Sequence, residues 1–392
     1  MDKDAALSMA HCGLFRVDVS SIEDELLFNE SDGMHFEFKS FFGAHDSPGH
    51  LGYLLLKACQ KHGLKPEAAA VENKIAFFLP DEVQRILRAP KCTCRVGVLN
   101  LPPEYIDSIV APYKICLYYW ESDRLPHRMI EPLNKFDEVW VISDWNKEVF
   151  RNSGVNVPIH KIRVGVDPDE YSYCWRPREN FTFGLCGFLT YRKGADIACR
   201  AFHRAFSTEG DVRLEIKTRV NPILNAVKEP EYLNDTRISV IKDEWDVARM
   251  REWYGSLDYF VFPSRCEGLG LIVPEAAACG AIPIITDWSG LTEFHDSPFL
   301  KIPHKGLQDL AADAIEEGHW CIPDEDVLVE IMRMCYTARD EGQHRACSDY
   351  ALQNWDVSNT AKDISVRLHR IHNDVVRPKQ IAQAVLETGG IC

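Results

Sequence analysis

The chain has no apolar run approaching the ~18 residues that a membrane-spanning helix needs, so no such span is expected. It has no excess of positive charge: 44 Lys and Arg stand against 59 Asp and Glu, a formal net charge of −15. That balance argues against non-specific nucleic-acid binding, which needs a basic field, and leaves room for a local basic pocket. No G-x-G-x-x-G opens a β-α-β unit with an acid about 20 residues on, which speaks against a dinucleotide-dependent oxidoreductase. The acidic opening, MDKDAALSMAHCGLF, lacks the charged-then-apolar layout of a signal peptide. The 14 cysteines are scattered, and Cys92 and Cys94 form the only close pair. C-x-C without a histidine pair is too tight for the common zinc spacing, so no metal site is expected and a reduced, cytoplasmic chain is the better reading. No internal repeat or low-complexity tract is evident.

What is present is an ordinary globular composition, 46% hydrophobic and 26% charged, in 392 residues. That length is too great for one comfortable core, and two α/β domains are the natural division. The most informative stretch is FPSRCEGLGLIVPEAAACGAIPIIT, residues 262–286. DYFVFPS (258–264) reads as a parallel strand covered on both faces. The turn after it carries Gly268 and Gly270, so its backbone can approach a ligand and aim N–H groups at an anion. A helix from about Gly270 to Cys279 keeps Pro274 within roughly its first turn, Gly280 is a natural C-cap, and AIPIIT is the next strand. Glu267 then stands at the carboxyl end of a strand, where open α/β sheets bind ligands, with Glu275 on the following helix. An anion-binding turn between two carboxylates suits a sugar nucleotide; the bland alternative is a plain strand–helix unit with two solvated glutamates.

E-G-L-G-L-I-V-P-E resembles the E-x7-E signature of the family 4 retaining glycosyltransferases (glycosyl transferases group 1). The resemblance extends through YYWESDRLP (118–126), FDEVWVISDWNKEVFRNSGV (136–155), VGVDPDEY (164–171), GFLTYRKGADIACRAF (187–202), LEIKTR (214–219) and NWDVSNTAKDI (354–364), and so covers about residues 35–370. It implies the GT-B fold: α/β, two Rossmann-like domains facing a central cleft, with a C-terminal helix crossing back to the N-terminal domain. The expected division is an extension at 1–34, an acceptor domain at 35–172, a nucleotide-sugar domain at 173–355 and a returning helical segment at 356–392. The family often docks on membranes through a basic amphipathic helix; no clear one is seen here, so only peripheral contact stays open.

In the N-terminal half, HFEFKSFF (35–42) is the expected first strand, followed by a loop and an amphipathic helix apolar at Leu51, Leu54, Leu55 and Ala58. The fold turns that loop to the cleft, which makes Gly43 a donor-side candidate and His45 and Asp46 acceptor-side ones; incidental turn residues are the alternative for His45. CRVGVLNLP and YKICLYYW read as strands, the second running to Trp120. Many family members have a histidine near this point that contacts the donor sugar, and this chain has Trp120 and Glu121 instead. Glu121 either orients an acceptor hydroxyl or pairs with Arg124 or Arg128. FDEVWVIS is a strand, SDWNKEVFRNSG a helix capped by Ser143 or Asp144 and ended by Gly154, and 168–180 is the most linker-like segment.

In the C-terminal half, strand FTFGLCGF is followed by a turn carrying Arg192 and Lys193, and strand LEIKTR ends in Lys217 and Arg219. Four cations at two strand ends are what a nucleoside diphosphate requires. By resemblance Lys193 matches the family's R-K-G lysine and Lys217 the I-K-T lysine of one branch. The family's frequent arginine after the first glycine is replaced by Phe188, so Lys217 or Arg219 is expected to share the phosphate load; a surface salt bridge is the alternative for Arg192. Ser289-Gly290 could bring N–H groups to the donor, and Glu293 is either a donor contact or a helix N-terminal charge. The resemblance thus implies Glu267, Lys193 and Lys217 as catalytic residues. Gly43, Arg192, Arg219, Gly268, Leu269, Gly270 and Glu275 would bind the donor, and His45, Asp46 and Glu121 would face the acceptor. The expected activity moves a sugar from a nucleoside-diphosphate sugar to a hydroxyl of a glycan or glycoconjugate, with retention and with no cofactor or metal. A catalytically silent GT-B binding protein and a sugar-nucleotide epimerase are the alternatives.

Overall fold

The computed structural model describes residues 34–42, 47–75, 81–88, 94–187, 190–218, 235–310, 317–338 and 341–387. They divide into two compact units, one made of residues up to Cys116 together with those from Thr360 onward, the other of Leu117–Asn359.

The chain begins with β1 (His35–Phe42), α1 (Ser47–Lys61), β2 (Lys65–Ile75), α2 (Asp81–Arg88), β3 (Val96–Asn100) and β4 (Tyr113–Leu117). Phe36, Phe38, Ser40 and Phe42 are buried on β1 and alternate with partly exposed residues, the period-2 pattern of a strand with one better-covered face. The four apolar positions expected on α1 are all buried. Then come α3 (His127–Leu133), β5 (Glu138–Val141), α4 (Asp144–Ser153) and β6 (Ile159–Lys161). Ser143 is the N-cap of α4, its hydroxyl accepting from the N–H of Asn146, and Gly154 ends the helix at φ 108°. Strand order in this sheet is β2-β1-β3-β4-β5-β6.

The strand expected to reach Trp120 stops at Leu117. Beyond it Trp120 is buried: its main chain is bonded in both directions by the Asn146 side chain (2.9 and 3.4 Å), and its ring N–H donates to Ser122 Oγ at 2.8 Å. Residues 168–180 hold no helix or strand and are anchored at intervals to later parts of the chain, Cys174 N–H to the Cys279 carbonyl and Arg176 N–H to the Gly255 carbonyl.

The second sheet is built by β7 (Phe181–Cys186), α5 (Ala195–Ala205), β8 (Val212–Lys217), β9 (Ile238–Ile241), α6 (Val247–Tyr254), β10 (Tyr259–Phe262), α7 (Ile272–Cys279), β11 (Ile282–Thr286) and β12 (Leu300–Ile302). Its order is β12-β11-β10-β7-β8-β9, with every pairing parallel. β10 and β11 are buried throughout, which is why they read as continuous apolar runs. The chain leaves β7 toward β8 and later returns to its other side with β10, so strand order reverses between β7 and β10. Crevices at such a reversal, at the carboxyl ends of the strands, are where open α/β sheets hold ligands. A hairpin of β13 (His304–Asp309) and β14 (His319–Pro323) precedes α8 (Glu325–Ala338), α9 (Glu341–Asn354) and α10 (Val357–Ile371). The last expected helix continues past α10 through a π turn (His372–Val376) into α11 (Arg377–Glu387). Among the described residues no helix is long and apolar enough to cross a membrane.

Candidate functional site

The two sequence segments flanking the strand reversal meet at one carboxylate. After β7 the chain makes a 3-10 turn, Tyr191–Lys193, and Gly194 follows at φ 72°. A Cβ on Gly194 would lie 2.1 Å from the Pro263 carbonyl oxygen, so only glycine lets this turn press against the end of β10. That approach delivers Arg192 and Lys193 to Glu267, which is buried at 2% exposure. Lys193 Nζ lies 2.9 Å from both carboxylate oxygens. Arg192 donates to Oε1 at 2.9 Å and to the Cys266 carbonyl at 2.7 Å, and the Ser264 hydroxyl donates to Oε1 at 2.6 Å.

Burial alone would raise the pKa of Glu267; the adjacent Lys193 and Arg192 charges and the Ser264 bond outweigh it and hold the carboxyl below its ordinary value. The group is therefore an anion at neutral pH. Arg192 also reaches back to Glu121, with 2.8 Å between Nη2 and Oε2. Glu121 thus has Arg192 as an ion-pair partner where the sequence suggested Arg124 or Arg128.

The main chain of Glu267 is fixed as firmly as its side chain. Its N–H donates to Ser289 Oγ at 2.9 Å, and its carbonyl accepts from Gly290 N–H at 2.9 Å. Ser289 holds this position at φ 59°, in the left-handed region that side chains rarely adopt. A Cβ on Gly290 would sit 2.1 Å from the Gly268 carbonyl oxygen. The Ser289-Gly290 turn therefore grips the glycine-rich loop. Among the described residues no acceptor takes the N–H groups of Gly268, Leu269 or Gly270. Glu275 is buried in the first turn of α7, with Pro274 tolerated one residue before it and Gly280 capping the end at φ 102°.

Lys217, the last residue of β8, is buried as well, but it faces different chemistry. Its ammonium donates to the carbonyls of Thr218 (2.9 Å) and Asp243 (2.6 Å) and lies 5.0 Å from the Trp245 ring centre. The Cys186–Gly187 end of β7 lies between the two lysines: Gly187 N–H donates to the Lys217 carbonyl, and the Lys193 side chain passes 3.6 Å from where a Gly187 Cβ would be. Burial pushes the Cys186 thiol up to about 11, against the pull of Lys217 and, more weakly, Lys193. The structure therefore gathers Glu121, Arg192 and Lys193 around Glu267 and the loop Gly268–Leu269–Gly270 that follows it, with Lys217 on the β8 side. Gly43, His45, Asp46, Phe188 and Arg219 lie outside the described residues.

Glu293 adopts the helix-terminal role. Its Oε1 accepts from the first N–H of α4, that of Asp144, at 2.5 Å, and Lys161 pairs with both carboxylates. Burial works against the Lys161 charge, but those two acids raise its pKa. Sequence reasoning missed Ser264 as a partner of Glu267, and it missed Arg265. The Arg265 side chain, 4% exposed, forks onto Asp196 (2.9 and 2.8 Å), stacks at 3.5 Å on the Tyr191 ring and donates to the Tyr191 carbonyl, which holds the turn that presents Arg192 and Lys193. Arg265 and Asp196 are 69 positions apart, so nothing local signals the pair. Among the described residues no cluster of three or more His, Cys, Asp or Glu could hold a metal ion.

Residues 180–317 match the family model Glycosyl transferases group 1. That segment contains every residue of the Lys193–Glu267–Ser289 arrangement. Among solved structures, the chain is similar to the sucrose-phosphate synthase of Thermosynechococcus elongatus, at TM-score 0.64 and 12% identity, covering 87% of this chain and 100% of that one. It is also similar to Anabaena HepE in complex with UDP-glucose (TM-score 0.60, 13% identity, 86% and 99% covered). A third is the α,α-trehalose 6-phosphate synthase of Burkholderia multivorans (TM-score 0.60, 11% identity, 88% and 99% covered). At these identities the likeness is one of fold: two six-stranded parallel sheets with helices, the GT-B architecture. No curated protein matches the chain.

Proposed function

We propose that the protein is a retaining glycosyltransferase, moving a sugar from a nucleoside-diphosphate sugar to a hydroxyl of a glycan or glycoconjugate. The observation that carries this reading is the Lys193–Glu267 pair at the strand reversal, inside the segment that matches the glycosyltransferase model. The Anabaena neighbour of the same fold was solved with UDP-glucose, which supports a nucleotide sugar as the ligand class.

In this reading the diphosphate takes over the charge of Lys193 and Arg192 and accepts from the N–H groups of Gly268 to Gly270 as the bond from sugar C1 to phosphate oxygen breaks. The acceptor oxygen forms its bond to C1 on the same face and passes its proton to the departing phosphate oxygen. Glu267, held as an anion, orients sugar hydroxyls, Glu275 serves the ribose, and Glu121, once Arg192 turns to phosphate, faces the acceptor. Lys217, held by the carbonyls of Thr218 and Asp243, adds positive charge from the β8 side without leaving them. Side-chain cations and main-chain N–H groups supply the leaving-group charge, so transfer persists in EDTA. The setting is cytoplasmic, with at most peripheral membrane contact.

A second reading, a GT-B protein that binds and does not turn over, draws on the saturation of Arg192 by Glu267 and Glu121. A thermal-shift panel of UDP, GDP, ADP, NAD and common nucleotide sugars, followed by product analysis, separates the two. Ligand at a hundredfold excess over Kd stabilises by about 2.7 kcal/mol. Transferase activity requires a shift with one nucleoside diphosphate, its loss in Lys193→Ala, and a transferred sugar. A shift without product favours the binding protein, and a shift with NAD alone sinks both.

A further inference from the structure

Tyr191 begins the turn that carries Arg192 and Lys193, and it is 47% exposed. A single exposed aromatic ring is ordinary on a surface, but this one is held from several sides. The Arg265 guanidinium stands over one face, 3.5 Å from the ring centre. The Tyr191 hydroxyl donates to Gln308 Oε1 of β13 at 3.2 Å, and the Trp320 ring of β14 lies 6.4 Å away, tilted by 37°. Arg265 is itself buried and forked onto Asp196, so the face it covers is closed. The exposure belongs to the other face and the ring edge. A ligand that stacks there meets a ring already fixed, so little side-chain freedom is lost on binding.

The β13–β14 hairpin ties this ring to Glu121 and its neighbours. Trp320 Nε1 donates to the Glu121 carbonyl at 2.8 Å, and Cys321 N–H donates to the Arg265 carbonyl at 3.1 Å. His319 N–H and Nδ1 lie 2.6 and 3.1 Å from the two oxygens of Asp123. Gly318, at φ 107°, permits that approach, because a Cβ there would sit 2.4 Å from Asp123 Oδ1. Gln308 and Trp320 are directly opposed across the hairpin, and exposed Ile322 follows two residues on, so all three share one face. Gln308 Nε2 is buried and has no acceptor among the described residues, an idle donor that calls for a partner. The result is an apolar shelf with a polar rim made of the Tyr191 hydroxyl, the Gln308 amide and Glu121.

We propose that this shelf is a sugar-binding subsite on the acceptor side, with one pyranose ring stacked on Tyr191. A pyranose has a face of C–H bonds, whose positive hydrogens meet the negative face of an aromatic ring. Around its edge it has hydroxyls, which both donate and accept and so match an amide, a phenol and a carboxylate. An alkyl chain would cover the ring and leave the Gln308 amide idle. That the stacked sugar belongs to the acceptor rests on the transferase reading, in which Glu121 faces the acceptor; binding of the sugar does not require turnover.

The test reads sugar binding apart from turnover. Saturation-transfer NMR on the full-length protein uses the methyl pyranosides of glucose, galactose, mannose and N-acetylglucosamine at up to about 100 mM, enough for the millimolar affinity of a single contact. At least one should receive saturation, strongest at the C–H protons of one ring face. Tyr191→Ala should lose that signal. Tyr191→Leu, which keeps apolar bulk over Arg265 and carries the test if the alanine variant does not fold, should lose it too. Tyr191→Phe keeps the ring and should keep the signal. Arg265 grips the turn through the Tyr191 carbonyl, so truncating the side chain leaves the turn in place. The Kd of whichever of UDP, GDP and ADP stabilises wild type should therefore change less than about twofold. In transfer assays Tyr191→Ala should raise the acceptor KM about tenfold at unchanged donor KM. No saturation of any pyranoside, a signal that survives in Tyr191→Ala, an unmoved acceptor KM, or an equal loss of nucleotide affinity overturns the proposal; the last means that the ring serves the nucleotide or braces the turn. A wild type that binds a pyranoside through Tyr191 and transfers no sugar sinks the transferase reading and leaves the subsite standing.

Discussion

Lys193, partly buried in the turn that follows β7, and Lys217, buried at the end of the adjacent β8, differ in their partners: one meets a carboxylate and the other meets carbonyls. The difference is one of exchangeability. A carboxylate neutralises the ammonium it binds, and an arriving phosphate can replace it with little change in net charge. A carbonyl holds an ammonium through directed bonds without neutralising it, and moving that lysine leaves the carbonyl unpaired. In the proposed transferase Lys193 exchanges Glu267 for phosphate, whereas Lys217 ties the end of β8 to the chain at Asp243.

The largest expected effect is from Glu267→Ala, which leaves Lys193 and Arg192 without their shared anion. Urea denaturation should register a loss of about 3–5 kcal/mol, the range for breaking a buried pair from one side. A loss under about 1 kcal/mol would mean that the pair is already solvated, and the contrast with Lys217 would dissolve. Next comes Lys193→Ala, expected to lower kcat/KM for sugar transfer by roughly two to three orders of magnitude. A drop below about fivefold removes Lys193 from the phosphate. Lys217→Met should cost about 1–3 kcal/mol of stability through the unpaired Thr218 and Asp243 carbonyls, and less than tenfold in kcat/KM. An effect on kcat/KM equal to that of Lys193→Ala would erase the distinction.

The smallest effect is in the pH profile. Because the folded pKa of Glu267 lies below its ordinary value near 4.5, its pairing stabilises the fold fully above that value. The contribution is lost as pH falls from there through the lower folded value. Melting temperatures from pH 7 down to pH 3.5 should fall more steeply for wild type than for Lys193→Ala; equal slopes would count against the pairing.

The second sheet was the more legible region. Its strands are continuous apolar runs, and the Gly270–Cys279 helix lies within two residues of the observed Ile272–Cys279, because Pro274 and Gly280 punctuate it. α4 was as clear, with Ser143 and Gly154 at its ends. The strand after Tyr113 was overextended because Tyr118, Tyr119 and Trp120 have strand-like composition, while the polar groups of Trp120 are committed to Asn146 and Ser122. At the site, local motifs gave Arg192, Lys193, Glu267 and the glycines. What holds them is less visible: Ser264 lies only three residues from the carboxylate but belongs to no motif, Arg265 finds Asp196 69 positions away, and the strained Ser289 depends on one dihedral angle.

The Arg192 bridge has a kinetic consequence. It joins Glu121 to Glu267 across most of the second unit, so the site exists only once segments distant in sequence have been brought together. Contacts of that kind carry loop-closure entropy that must be met before they contribute, and they form late. On refolding from urea, helical signal should return first, and nucleotide binding should lag behind it.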